Sequence, residues 1–385
     1  MSTPLPRDEF AVTERYVYLN HAAVGVLPRS SVTAIETFVR EHGEGGVMGT
    51  RRYEARMPEF RERIARFIGA DGSDIAVLRN TGDGANAVAL GMDWRAGDEV
   101  ILCDNEFPAN AVAWIALRRR GVNVRVLPTH AERLTPDVLQ REITPRTRVV
   151  AVSWVSYADG YRHDLAALAG VAHRAGAFLC VDAMQALGAF GLDVAADGID
   201  ALYCGAAKWM LGLQGVAFFY AGESLTERLA LAAPGWRSMQ DMWDFPRFEQ
   251  PYAADASRFE GGTPNFLGAL SLATSIDLIE RSGGTAAIGP HVLALTDALC
   301  KGLERAGARV ASVRGPGVSS GIVSFAMPGC DSVELGRVLQ ERAGIVTTHR
   351  ASGIRIAPHG YNTFDEIERL LSAVAQYAPV AAAKR

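Results

Sequence analysis

Cysteine is scarce. The five in this chain of 385 residues, Cys103, Cys180, Cys204, Cys300 and Cys330, show neither pairing nor metal-ligand spacing. That excludes a disulfide framework and suits a reducing compartment. The eight histidines form no helix-borne pair and no cluster with Cys or carboxylates, so no metal site is expected. Basic runs interleaved with aromatics are missing, and 39 basic against 43 acidic residues leave a formal charge of −4. Nucleic acid and anionic membrane are therefore unsuited partners. No uninterrupted apolar run is long enough to span a bilayer, and Met1 to Phe10 lacks a signal-peptide core, so the expectation is a cytoplasmic protein without membrane partners. There is no internal repeat. Gly315-Pro316-Gly317-Val318-Ser319-Ser320-Gly321 only imitates a dinucleotide loop, because its spacing is wrong and a strand follows where a helix should.

What is present is an alternating pattern. From about Ile75 to Tyr220, short β-rich runs alternate with helical spacing, the sequence form of a βαβ array and a mostly parallel seven-stranded sheet. Strands are expected at Ile75 to Leu78, Glu99 to Cys103, Asn123 to Leu127, Arg148 to Val155, Ala177 to Val181, Ala201 to Cys204 and Gly215 to Tyr220. Helices such as Ala109 to Arg119 and Asp164 to Ala175 lie between them. Two segments, Gly43 to Arg52 and Pro234 to Pro264, read as irregular, and the second is long enough for a functional loop. Helices near Gly268 to Arg281 and Pro290 to Ala306 then lead into a strand-helix-strand pattern through Gly321 to Phe325, Asp331 to Arg342 and Ile354 to Ile356. A last helix from about Thr363 to Tyr377 opens with Thr363 and Glu366 as a capping box, and the tail ending Lys384-Arg385 is expected to fray. The fold class is α/β, with a large domain over 14–255 and a smaller C-terminal α+β domain over 265–385, near which residues 1–13 pack.

The chemistry concentrates in two neighbouring segments. Ala177 to Val181 is a buried-type strand that delivers Asp182 to the carboxyl edge of the sheet, where open α/β sheets bind ligands. Tyr203-Cys204-Gly205-Ala206-Ala207-Lys208 follows after one strand-and-turn interval. This pairing suits pyridoxal phosphate. A carboxylate keeps the pyridine nitrogen protonated, an amide three residues on bonds the phenolic oxygen, and a lysine forms the Schiff base and later carries the α-proton. Asp182, Gln185 and Lys208 fit these roles. Taken singly, each has an ordinary reading as a turn residue or solvated surface.

Other segments add to the set. Val77 to Leu90 reads as a strand, a glycine-containing turn and a helix start, where backbone N–H groups and the Thr81 hydroxyl suit a phosphate; the plain alternative is an N-cap at Thr81 or Asp83. Phe107 follows the next strand and has two readings, a ring stacked on a pyridine or a hydrophobic staple. Arg355, on an apolar strand, suits a bidentate carboxylate clamp or an internal salt bridge. Arg258 to Asn265 is a second possible anion-binding turn.

The order of Thr81-Gly82, Glu106-Phe107-Pro108, Asp182-x-x-Gln185, Lys208-Trp209, Arg258 to Pro264 and Arg355 to Thr363 resembles the class V aminotransferases of fold type I. The likeness is to the branch of cysteine desulfurases and isopenicillin N epimerase-like proteins, and it runs from Tyr18 to Leu371. It implies a homodimer with shared active sites and an amino acid substrate. It also implies roles: Lys208 and Asp182 catalytic; Thr81, Gly82, Phe107, Gln185 and Thr263 on the cofactor, Thr263 reaching the neighbouring subunit's phosphate; Arg355, Asn20 and His21 on the substrate. Three departures stand out. Gly205-Ala206-Ala207 replaces the usual Ser and His before the lysine, Thr347 to Ser352 lacks the desulfurase cysteine, and Tyr157 stands where Asn is frequent. The open reactions are transamination, β-elimination with C–S cleavage and epimerisation, with a catalytically silent binding protein as the reading from another class.

Overall fold

The computed structural model describes residues 3–129 and 132–382. The expected fraying of Lys384-Arg385 lies outside the described residues. In chain order the strands are β1 (Val17–Tyr18), β2 (Ile75–Leu78), β3 (Glu99–Cys103), β4 (Asn123–Leu127), β5 (Thr147–Ser153), β6 (Phe178–Asp182), β7 (Ala201–Gly205) and β8 (Ala217–Ala221). The later strands are β9 (Arg309–Val310), β10 (Val323–Ala326), β11 (Ile345–Val346), β12 (Thr348–Arg350) and β13 (Gly353–Ile356). Seven of these form one sheet in the order β2-β8-β7-β6-β5-β3-β4. The β4-β3-β5-β6-β7 pairings are parallel, and β8 runs antiparallel to both its neighbours.

Every residue of β3, β6, β7 and β8 is buried. This is why these strands read as continuous apolar runs rather than alternating ones. Helices such as Thr81–Gly91, Pro108–Ile115 and Leu165–Arg174 follow β2, β3 and β5 in the chain. The carboxyl ends of β2, β3, β5, β6 and β7 lead into Thr81, Phe107, Trp154, Ala183 and Lys208 respectively, within a few residues of each strand end.

A second, wholly antiparallel sheet has the order β12-β13-β10-β9. Helices Gly284–Arg305, Ser332–Ala343 and Phe364–Ala382 contribute to the apolar core beneath it. The last of these opens with reciprocal Thr363 and Glu366 hydrogen bonds, at 3.0 and 3.2 Å, the capping-box arrangement. β1 pairs in parallel with β11, so the chain passes alongside the small sheet before reaching the large one. Arg7 pairs with Glu366 at 3.0 Å, and the Phe10 ring stacks on Tyr361 at 4.0 Å.

Local structure departs from the sequence expectations at four places. Gly43 to Arg52 is helical: Arg29–Gly45 and Val47–Glu54 are α-helices broken only at Gly46, whose φ is 52°. Buried Phe38 and Tyr53, in ring contact at 4.5 Å, tie the two together and outweigh the cost of the glycines. The helix expected from Pro290 begins at Gly284 and carries Pro290 inside it. The helix expected to Arg119 changes at Ala116 into a 3₁₀ turn that ends on Gly121, φ 79°. Finally, the Thr81 helix is capped by neither Thr81 nor Asp83 but by Asn80, whose Oδ1 accepts from the Asp83 N–H at 3.0 Å.

Candidate active site

Lys208 sits on a turn held from three sides. Leu211 N–H donates to Lys208 O at 3.1 Å, Gly212 N–H to Ala206 O at 2.8 Å, and Gly25 N–H to Ala207 O at 2.7 Å. Gly25 must be glycine, since a Cβ there would lie 2.0 Å from Lys208 O. Leu211 carries φ 56°, a left-handed conformation that few non-glycine residues adopt. Below this turn Trp209 is buried and donates its indole N–H to Gln185 Oε1 at 3.1 Å. Gln185 Nε2 in turn donates to Ala22 O at 3.0 Å. These two bonds fix the orientation of the amide and leave its second N–H uncommitted.

A recess of about 30 Å³ is lined by Thr81, Phe107, Ser153, Tyr157, Asp182, Met184, Gln185 and Lys208. The structure thus brings together residues from five strand ends. The Lys208 Nζ lies 5.3 Å from the Phe107 ring centroid and has no ion-pair or hydrogen-bond partner among the described residues. Burial holds this amine down, to about 8 from its ordinary 10.5, against the pull of Asp182 and with Arg355 and Arg350 pushing the same way. About a tenth of it is then neutral at pH 7, some 300 times more than for an ordinary lysine. Asp182 is buried, and burial raises it to about 6, opposed by the Met184 N–H bond at 2.8 Å and by Lys208. Its Oδ1 takes that bond, and its other oxygen has no hydrogen-bond partner among the described residues.

Arg355 lies just outside this recess. It is buried, and its Nη1 donates to Tyr157 O at 2.9 Å. Its Nε and Nη2 have no hydrogen-bond partner among the described residues. These two atoms form the side edge of the guanidinium, the fork that matches a carboxylate. Burial first, then Arg350, lower it to about 10. Such an unpaired buried cation is costly to fold and calls for an anion from outside the chain.

The remaining sequence candidates divide. Gly82 follows Thr81 in the first helical turn, behind the Asn80 cap. Asn20 forms an isolated bridge to Ala357, and its Oδ1 is buried without a hydrogen-bond partner among the described residues. His21 does not line the recess. It is fully buried, its Nδ1 donates to Ala357 O at 3.0 Å and its Nε2 accepts from the Tyr361 hydroxyl at 3.0 Å. Both ring nitrogens are spent, and burial keeps the imidazole neutral. Thr263 lies elsewhere, with Asp83 and Asn86, on a separate groove of about 650 Å³. In the Arg258 segment the guanidinium is taken up by Thr226 and Leu229 carbonyls, and Glu260 pairs with Arg61 at 2.8 Å.

Sequence reasoning missed a buried network behind Phe107. Glu106 accepts from Ser153 N–H at 2.8 Å, from the Ser153 hydroxyl and from Asn110 Nδ2 at 2.8 Å. Burial raises this carboxyl to about 7, the nearby Asp182 charge adding to the effect while the three hydrogen bonds oppose it. The i, i+4 spacing of Glu106 and Asn110 was the available signal. Missed too was Met184. Its methyl sits 2.3 Å from where a Cβ would stand on Gly205, so it occupies the space that a side chain at that position would need.

A buried carboxylate with one oxygen unpaired, facing an unpaired amine of lowered pKa, matches a ligand that brings both a protonated ring nitrogen and an aldehyde. These features define a pyridoxal phosphate enzyme of fold type I. The comparisons agree: the Aminotransferase class-V family model matches residues 17–370, and the chain belongs to that family. It is 30% identical over 397 residues to a probable cysteine desulfurase of Methanothermobacter thermautotrophicus, covering 96% of each chain. It is 31% identical over 330 residues to the uncharacterised aminotransferase YcbU of Bacillus subtilis, covering 85% of this chain and 86% of that one. Among solved structures, C-DES with glycine linked to its pyridoxal phosphate superposes with a TM-score of 0.89 at 24% identity, covering 96% of this chain and 99% of that one. The same protein is described as a cystine C–S lyase in its complex with cysteine persulfide. No helix among the described residues is long and apolar enough to cross a membrane.

Proposed function

We propose that this enzyme is a β-eliminating C–S lyase for a cysteine-derived amino acid. The observation that carries the choice is the absence of a usable thiol. Cys103, Cys180, Cys204 and Cys300 are buried, and burial pushes each thiol up. Cys330 is part-buried and engages Ala378 O at 2.7 Å. None of the five lines the recess. Persulfide-forming desulfuration needs an enzyme thiolate to attack the substrate sulfur. β-Elimination needs only a base at the α-carbon and a sulfur leaving group.

Bound pyridoxal phosphate supplies the electron sink for the pair left at the α-carbon. Lys208 and Asp182 hold it, with Thr81, Gly82, Phe107 and Gln185 on its other groups. Arg355 receives the α-carboxylate on its free Nε–Nη2 edge, with Asn20 beside it. Lys208 takes the α-proton. The Cβ–S bond then breaks, the sulfur leaves with the bonding pair, and water converts the remaining three-carbon unit to pyruvate and ammonia. The reading includes a cytoplasmic homodimer in which Thr263 of one subunit serves the phosphate site of the other. Similarity to C-DES and to the probable desulfurase supports cysteine or cystine as the substrate class.

The test is product analysis of holoenzyme given L-cystine or L-cysteine. Pyruvate and ammonia in equal amounts, without alanine, are expected. Alanine with sulfur left on the protein would establish desulfuration, and pyridoxamine phosphate with a keto acid would establish transamination; either sinks the proposal.

A further inference from the structure

One cation at the site has no task in this scheme. In the small sheet β12 pairs with β13 so that Thr348 faces Arg355 and Arg350 faces Gly353. Directly paired residues share a face, and so do residues two apart along a strand. Arg350 therefore lies on the same face as Arg355, one diagonal step away, a spacing of about 7–8 Å between backbone positions. Nothing intervenes at the position opposite Arg350. Gly353 has φ 119°, and a Cβ there would lie 2.1 Å from Phe325 O, so that position cannot carry a side chain.

Arg350 is also uncommitted. Its Nη1 donates to His349 O at 2.7 Å and to Thr348 Oγ1 at 3.3 Å. No carboxylate among the described residues pairs with it, whereas Arg61 and Arg314 each pair with one and Arg237 pairs with two. The charges in the site can be matched one by one. Asp182 answers the ring nitrogen and Arg355 answers the α-carboxylate, which leaves Arg350 without a counter-ion. Its charge reaches the site, since it helps to depress both Lys208 and Arg355.

We infer that Arg350 is a specificity residue that receives a second anionic group on the substrate, so that the preferred amino acids carry an acidic tail beyond the sulfur or its equivalent. This inference rests on the amino acid reading of the site. A half-cystine carboxylate and a simple acidic side chain share this chemistry, and the residue discriminates by charge rather than by shape.

The experiment is a visible-absorbance titration of holoenzyme with matched pairs, L-glutamate against L-glutamine and L-aspartate against L-asparagine. L-cystine against S-methyl-L-cysteine distinguishes a distal amino acid carboxylate from a short acidic tail. Wild-type protein should bind the anionic member of at least one pair about 10-fold more tightly, the size of one charge-assisted contact. Arg350→Met should bring that ratio to about one without changing affinity for the neutral member, and Arg350→Lys should keep part of it. A wild-type ratio near one in every pair, or a ratio that survives Arg350→Met, overturns the inference. Arg355→Met should instead weaken both members together. A coloured protein whose spectrum no amino acid changes refutes the amino acid reading itself, and the inference with it.

Discussion

Replacing Lys208 by methionine should make the protein without cofactor more stable, although it destroys the enzyme. Met has nearly the same length and carries no charge. The depression of the Lys208 amine from 10.5 to about 8 means that folding penalises its charged form. At about 1.36 kcal/mol per pH unit the penalty is about 3 kcal/mol at pH 7, and allowing half for local relaxation leaves roughly 1.5–3 kcal/mol. The sign follows from linkage. For a lysine whose folded pKa lies below its unfolded one, the cost is fully present below about pH 8 and fades as pH rises through 10.5. The gain from Lys208→Met should therefore shrink to about 1 kcal/mol or less near pH 10, apart from a pH-independent packing term. Urea unfolding of both apoproteins at pH 7 and pH 10 measures this directly. A variant no more stable than wild type at pH 7, or a gain that does not shrink at pH 10, would refute the claim that burial strains this amine for reaction.

Further outcomes follow from the same geometry. The rate at which apoprotein captures pyridoxal phosphate should rise about tenfold per pH unit up to about pH 8 and then level off, because the neutral amine is the nucleophile; a rise continuing toward pH 10 would contradict the lowered Lys208. Asp182→Asn keeps the shape and the Met184 contact but loses the charge, and should lower kcat about 10²-fold or more with the protein still folded by circular dichroism. Arg355→Met should weaken amino acid binding about 10- to 100-fold in spectral titrations while cofactor affinity stays unchanged. Alkylating the native holoenzyme with iodoacetamide should leave C–S cleavage intact, since no cysteine lines the recess; loss of activity on labelling Cys330 would revive a thiol mechanism.

The large sheet is legible because its inner strands are buried on both faces, so Phe178 to Val181 and Ala201 to Cys204 stand out as unbroken apolar runs. Asp182, Gln185 and Lys208 are legible for a related reason, since a polar group at the end of such a run lies at a sheet edge. β9, β11 and β12 escape the sequence because two or three residues carry no readable period. β1 escapes because its partner, β11, lies near the other end of the chain. Ser153 joins the site through β5 lying beside β6, a neighbour relation that only the sheet order reveals. The isolation of Arg350 likewise depends on strand register. His21 misleads because its place in the sequence says nothing about Tyr361 and Ala357, which take up both of its ring nitrogens. One plain signal was present throughout: the chain has only three lysines, Lys208, Lys301 and Lys384, so a Schiff base has few places to form.

That scarcity makes the decisive measurement simple. Holoenzyme is reduced with borohydride, digested, and its peptides are mapped by mass spectrometry for a phosphopyridoxyl group on each of the three lysines. The account predicts the label on Lys208, in the peptide around Trp209, and none on Lys301 or Lys384. An unlabelled Lys208 in protein that still cleaves C–S bonds would contradict it.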